Sequence, residues 1–362
     1  MATQAIQAKY ASLGGAKSPL GTPQSQLVQD GNSGFSHIKY TNGAIYWSAS
    51  SGASAIYGDI YKKWISSSNM GYPITDEQST KDNVCRFNNF SGGGAIYWTL
   101  ANGAHLIYGG IYQKWMASGG EAVFSYPITD EASTPDNVCR FNNFNNGGAI
   151  YWTSAHGAFL VYGEIYKKWQ SLGGEGGYLG YPMTDETSAG AHGGRYNDFN
   201  GGSIYWSPAH GAHDHAGPLP DHLDFDNNYV FPDGVAAGGN THLRLSSSGD
   251  MQFSGHFHDS GAVDYDYAVA IVLTDADNQA YSSTQQGKIS GTTGVLFGGS
   301  RDSDWNLTAN NPAVASSWRA IVAQYSVTAQ SKVNIDIKSL LDEVMSIIEK
   351  AGPIVGAVVA LF

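Results

Sequence analysis

The chain has 362 residues, 46 of them glycine, with 12% aromatic and 14% charged residues and a net charge of −12. That length gives room for two domains, and the mixture points to short strands and tight turns rather than a helical bundle or a disordered chain. The acidic balance excludes a general nucleic-acid binder and disfavours an anionic membrane surface, since both need concentrated Lys and Arg.

The N-terminal stretch MATQAIQAKYASLGG has no basic-then-apolar leader. It reads as the start of a soluble protein, cytoplasmic or released by a non-classical route and then acting outside the cell. From here the chain repeats itself with a period of about 50 to 54 residues. One anchor is IYKKW at Ile60 to Trp64 and Ile165 to Trp169, IYQKW at Ile111 to Trp115, and IQAKY at Ile6 to Tyr10. Ile and Trp four residues apart share a helix face, so each anchor predicts a short amphipathic helix, stopped by Gly119-Gly120 or Gly173-Gly174.

A proline corner follows each helix: LGTP at 20 to 23, MGYPITDE at 70 to 77, FSYPITDE at 124 to 131 and LGYPMTDE at 179 to 186. Proline fixes φ and the glycine before it permits an unusual backbone angle, which makes a rigid corner. A β-hairpin comes next, with RFNNF, a Gly- or Asn-rich turn and then AIYWT, and each unit closes on Gly-Ala. Cys85 and Cys139 fall at the same place in DNVCRFNNF, matched by Ile38 and Gly194 elsewhere, and read as buried packing residues rather than a disulfide framework.

With GGSIYWSPAHGAH at 201 to 213 and GEIYKKWQSLGGEGGYLGYPMTDE at 163 to 186, the chain resembles the LGFP repeat family. The family takes its name from a Leu-Gly-Phe-Pro corner, here Leu179-Gly180-Tyr181-Pro182. The resemblance spans about residues 5 to 217, departs at Phe124-Ser125, and in the first repeat lacks the acidic pair and the corner tyrosine. LGFP repeats are associated with attachment to bacterial cell-wall polysaccharide, which implies glycan binding here.

Each full repeat carries an acidic pair, Asp76-Glu77, Asp130-Glu131 or Asp185-Glu186. Two carboxylates are what a glycosidase uses, but a catalytic pair works at one site and these recur, which favours bracing or repeated sugar contact over catalysis. The basic residue before each hairpin, Lys39, Arg86, Arg140 or Arg195, fits an ion pair locking hairpin to corner. In the IYW strands, Tyr97, Tyr151 and Tyr205 point to one face and Trp98, Trp152 and Trp206 to the other, and either set can face a sugar. His156 and His210 precede Gly-Ala where another repeat has Asn102, which marks a hydrogen-bonding turn position. The tyrosines, tryptophans and histidines, with Asp76, Asp130 and Asp185, form the expected carbohydrate site of each repeat.

Past HDHAGPLPDH at 213 to 222, which reads as a linker, the pattern becomes alternating strands. THLRLSSSGDMQFSGHFH reads as a hairpin, YDYAVAIVLTD, SWRAIVAQYSV and SKVNIDI as further strands, the second with a partly helical alternative, and residues 336 to 350 as an amphipathic helix. His256 and His258 lie on one side of a strand and are weak metal candidates without a third ligand, so no metal or other cofactor is expected. The apolar tail GPIVGAVVALF either closes the core, the favoured reading, or contacts a membrane.

The expectation is a mainly β protein with short helices. Four LGFP-like repeats, at about 5–55, 56–106, 107–160 and 161–213, occupy residues 1–217 in a ring or compact array. A β-sandwich-like domain with a C-terminal helix fills 218–362. The function expected is multivalent, lectin-like glycan binding without enzymatic activity. A glycan-targeted membrane toxin or defence protein and a structural cell-wall protein are the alternatives.

Overall fold

Alternating side chains and glycine turns fold each repeat into a four-stranded antiparallel meander, followed in the first three by a helix. The computed structural model describes residues 1–189, 193–232 and 234–362. The first sheet runs Val28–Gln29, Phe35–Tyr40, Gly43–Ser48, Gly52–Tyr57, and the second Gln78–Ser79, Cys85–Phe90, Gly94–Thr99, Gly103–Tyr108. The third runs Ala132–Ser133, Arg140–Phe144, Gly148–Thr153, Gly157–Tyr162. The Gly-Ala segment is therefore a complete strand, and the helix comes after it.

The hairpin register corrects two sequence matches. Phe35 pairs with Ser48 and Ser36 with Trp47, as Cys85 pairs with Thr99 and Arg86 with Trp98. Phe35 and Ser36, rather than Ile38 and Lys39, are thus the counterparts of Cys85 and Arg86. Strand pairing fixes the correspondence, and the first hairpin turns in two residues, Thr41 and Asn42, where the second uses three. Cys85 and Cys139 are buried free thiols, and burial pushes the Cys85 thiol up to about 12.

The chain divides into two units, Met1–Lys167 with Tyr181–Asp185, and Lys168–Gly180 with Glu186–Phe362. In the first, helices alternate with sheets. The Gly58–Ile65 helix lies between Ala44, Tyr46 and Ile56 of the first sheet and Ile96 of the second. The Gly109–Ala117 helix lies between Ala95, Tyr97 and Ile107 of the second sheet and Ile150 and Leu160 of the third. Its fully buried Trp115 meets Tyr97 edge-on at 5.1 Å and stacks on Phe144 at 6.2 Å. Both faces of the second sheet are thereby covered, which explains the near-continuous apolar run of its AIYW strand.

In the second unit the fourth sheet runs Thr187–Ser188, Arg195–Phe199, Gly202–Ser207, Gly211–Ala216. The tyrosine face, covered by a repeat helix in the first two sheets, here meets Ala276 and Ala320 of the Trp318–Ala323 helix. The Tyr205 hydroxyl donates to Asp277 at 2.7 Å, and Arg319 grips Asp198 through two bonds of 2.7 and 2.9 Å while lying 3.5 Å from the Tyr196 ring centroid. The presumed linker begins and ends in strand: Gly211–Ala216 includes His213, and the next strand begins at His222.

The remainder of this unit is a sandwich. One sheet orders His222–Val230, Ala237–Ser246, Asp250–Asp259 and Asp302–Asn310; the other orders Tyr325–Val333, Tyr265–Asp275, Ala280–Ile289 and Val359–Ala360. Tyr267, Val269, Ile271 and Leu273 enter the core between them, while Ala268, Ala270 and Val272 meet Leu340, Val344 and Ile348 of the Ile337–Ala351 helix. SWRAIVAQYSV, read as strand or partly helical, divides: Trp318–Ala323 is helical, with Trp318, Ala320 and Ile321 buried on one face, and a strand begins at Tyr325. The apolar tail adds Val359–Ala360 as a parallel edge strand and buries Leu361.

The proline corner needs a left-handed backbone at its second position. Gly21, Gly71 and Gly180 adopt φ of +76°, +69° and +66°, but the third repeat places Ser125 there at φ +59° and ψ −152°. A side chain in that region costs about 1–3 kcal/mol. Ser125→Gly is expected to stabilise the protein by about 1 kcal/mol, measured as a higher denaturation midpoint at unchanged slope.

Candidate glycan-binding site

The acidic pair at each corner divides its work. Glu77, Glu131 and Glu186 are buried and pair with Arg86, Arg140 and Arg195 of the same repeat, locking hairpin to corner. Burial pushes the Glu77 and Glu131 carboxyls up, against the pull of their arginines.

The aspartates reach backwards. Asp76 accepts the Ala55 N–H at 2.9 Å and Lys9 at 2.6 Å; Asp130 accepts the Leu106 N–H at 3.1 Å and Lys63 at 2.7 Å. Asp185 accepts the Leu160 N–H at 3.1 Å and also binds Lys114. Ala55, Leu106 and Leu160 sit on the outer strands of their sheets, opposite Ile45, Ile96 and Ile150. The carboxylates therefore cap open sheet edges.

Two further sets of contacts join the repeats. Asn88 donates to the Ala55 and Thr75 carbonyls at 3.1 and 2.9 Å, and Asn142 likewise to those of Leu106 and Thr129. The corner hydroxyls of Tyr126 and Tyr181 bind Asp82 and Asp136 of the preceding repeat. Sequence reasoning assigned no role to these residues, although the recurrence of DNVCRFNNF was a signal for them.

The aromatic pair is split by depth. Tyr97, Tyr151 and Tyr205 are only 3%, 4% and 3% exposed, and burial pushes the Tyr97 and Tyr205 hydroxyls upward. These rings face the interior and present no surface to a sugar. Trp98, Trp152 and Trp206 on the opposite face are partly exposed. Each stands directly across a strand pair from an ion-paired arginine, Arg86, Arg140 or Arg195, and on its other side from an alanine, Ala104, Ala158 or Ala212.

The third repeat gives the clearest geometry. Arg140 donates to the Tyr108 hydroxyl at 2.9 Å and to Ser133 at 3.2 Å, besides its pair with Glu131. Trp152 lies so close to Gly110 that a Cβ there would come within 2.4 Å of its indole. In the second repeat Asp59 stands in that place, held below the usual carboxylate range chiefly by Lys62, with a smaller contribution from Trp98. Each indole is thus a partly open platform with an ion-paired arginine alongside.

The histidines fall elsewhere. His156 and His210 are exposed turn residues whose N–H groups donate to Thr153 and Ser207, and His210 also bonds the Ala276 carbonyl at 2.9 Å. His256 pairs with Asp304 at 2.8 Å and His258 with Asp302 at 2.6 Å on an exposed sheet face. Among the described residues no group of three or more His, Cys, Asp or Glu could hold a metal ion.

A family model described as LGFP repeat matches residues 20–68, 70–122, 125–177 and 179–223, more than half of the chain. Each match runs from corner through sheet towards helix, so the corner opens the unit. Residues 224–362 have no family match. A search among curated proteins returns no match.

Asp130→Ala is expected to lower stability by about 2 kcal/mol at neutral pH, because the Leu106 edge N–H and Lys63 both lose their acceptor. Burial raises the Asp130 carboxyl, but Lys63, the Leu106 N–H and His105 together bring it below its ordinary 3.8. A depressed carboxyl contributes stability above its unfolded value and loses it as pH falls through the folded value. The difference between wild type and Asp130→Ala should therefore narrow below pH 3.8 in denaturation series.

Proposed function

The chain belongs to the LGFP repeat family, and on that premise we propose that it is a multivalent glycan-binding protein. The observation that carries the reading is the tryptophan of each full repeat, partly exposed beside an ion-paired arginine while the neighbouring tyrosine is buried. An indole fixed in this way offers a flat apolar surface to the C–H face of a pyranose, and the adjoining Arg, Tyr and Ser groups offer partners to its hydroxyls. Trp98, Trp152 and Trp206 then mark three shallow, equivalent sites.

Such sites are individually weak, and polymeric glycan engages several at once, so several sites on one chain gain avidity. The engaged state of the corner carboxylates favours recognition over hydrolysis. Each glutamate is tied to arginine and each aspartate to lysine and an edge N–H, which leaves neither poised as an acid or a base.

The test is binding of the full chain to a broad glycan array and to insoluble cell-wall polysaccharides. The Trp98→Leu/Trp152→Leu/Trp206→Leu variant, checked for an unchanged melting profile, is expected to lose about tenfold or more in apparent affinity. A single replacement should cost much less. Failure of the folded wild type to bind any glycan, or undiminished binding by the triple variant, would overturn the proposal and favour a structural role for the repeats.

A further inference from the structure

The sandwich carries an apolar tip that neither its core nor the repeat contacts use. Leu296 and Phe297 are 79% and 87% exposed, and exposed Val263 lines the same cleft as Phe297. A residue with that much of its surface solvated projects from its neighbours. The projection is firmly mounted. Thr292 N–H donates to the Gly261 carbonyl at 3.0 Å, and Gly291 N–H to Asp264 at 3.1 Å. Arg301 ties the two loops from beneath, donating to the Asp259 carbonyl at 2.7 Å and to Thr292 at 2.6 Å.

We infer that Val263, Leu296 and Phe297 form a membrane-contacting tip that enters the interfacial layer of a zwitterionic bilayer. The shape favours lipid over a protein partner. Projecting side chains enter an acyl layer without needing a complementary pocket, whereas a dry protein interface needs surrounding apolar surface. The tip instead rises from Gly294, Gly298, Gly299 and Ser290, with the Lys288–Asp264 ion pair at 3.3 Å beside it. That pair of opposite charges complements the phosphate and ammonium of a zwitterionic headgroup. The net charge of −12 opposes an anionic surface. This inference uses none of the repeat tryptophans and stands independently of glycan binding.

The experiment is flotation of the full chain with phosphatidylcholine vesicles that carry no glycan. Wild type is expected to float, with weaker flotation when phosphatidylserine is added. Leu296→Ser/Phe297→Ser should reduce partitioning about tenfold or more. Leu100→Ser, at an equally exposed apolar position in a repeat, should leave it unchanged. Absence of wild-type flotation, or equal flotation of the tip variant, overturns the inference. Tip-dependent self-association without vesicle binding also overturns it, and assigns the tip to a second copy of the chain.

Discussion

An antiparallel meander ends in a strand whose outward N–H and C=O groups have no partner within the sheet, and the repeat architecture depends on how that edge is closed. At Ala55 the N–H goes to Asp76 and the C=O receives Asn88; at Leu106 the same roles fall to Asp130 and Asn142. A lysine from the earlier helix neutralises the carboxylate in each case. One aspartate therefore joins a corner, a strand edge and a helix, which is sufficient reason for its recurrence without reference to any ligand.

The last repeat has no successor to close its edge, and its sequence compensates. Asp214, opposite Ile204, occupies the place of Ala55 and Leu106 and itself receives Lys168 at 2.7 Å. Its open tyrosine face is covered from the sandwich by the Trp318–Ala323 helix. Two substitutions accompany this docking: Tyr196 stands where other repeats have Phe87 or Phe141, and Asp198 where they have Asn89 or Asn143, and both meet Arg319. Aromatic-on-guanidinium contact and a two-point ion pair together fix orientation as well as affinity.

The same layering sorts the aromatic residues by role. A sheet covered on both faces must bury the side chains under the middle of each helix, and the tyrosine falls there, against Trp64 or Trp115. The tryptophan, two residues beyond the buried isoleucine on the opposite face, reaches the start of the preceding helix, where cover is incomplete. Partial exposure of a large, rigid ring at one place per repeat is what gives the glycan reading its physical content.

The repeat, its helix face, the rigid corner and the alternating strands of the sandwich were legible in the sequence, because they follow from local spacing: Ile60 and Trp64 on one helix face, Gly-Tyr-Pro in a corner, alternation in THLRLSSSGDMQF. The Arg86–Glu77 type of pair was legible as charge recurring beside charge. What the sequence left open was which of Tyr97 and Trp98 meets solvent, since period two separates two faces without saying which is covered. It also could not show that Asp76 closes the edge of another sheet, that Phe35 rather than Ile38 matches Cys85, or that SWRAIVA is a helix capping the fourth repeat. Those outcomes belong to tertiary structure, because strand register, edge closure and the cover on each face depend on groups brought together from distant parts of the chain.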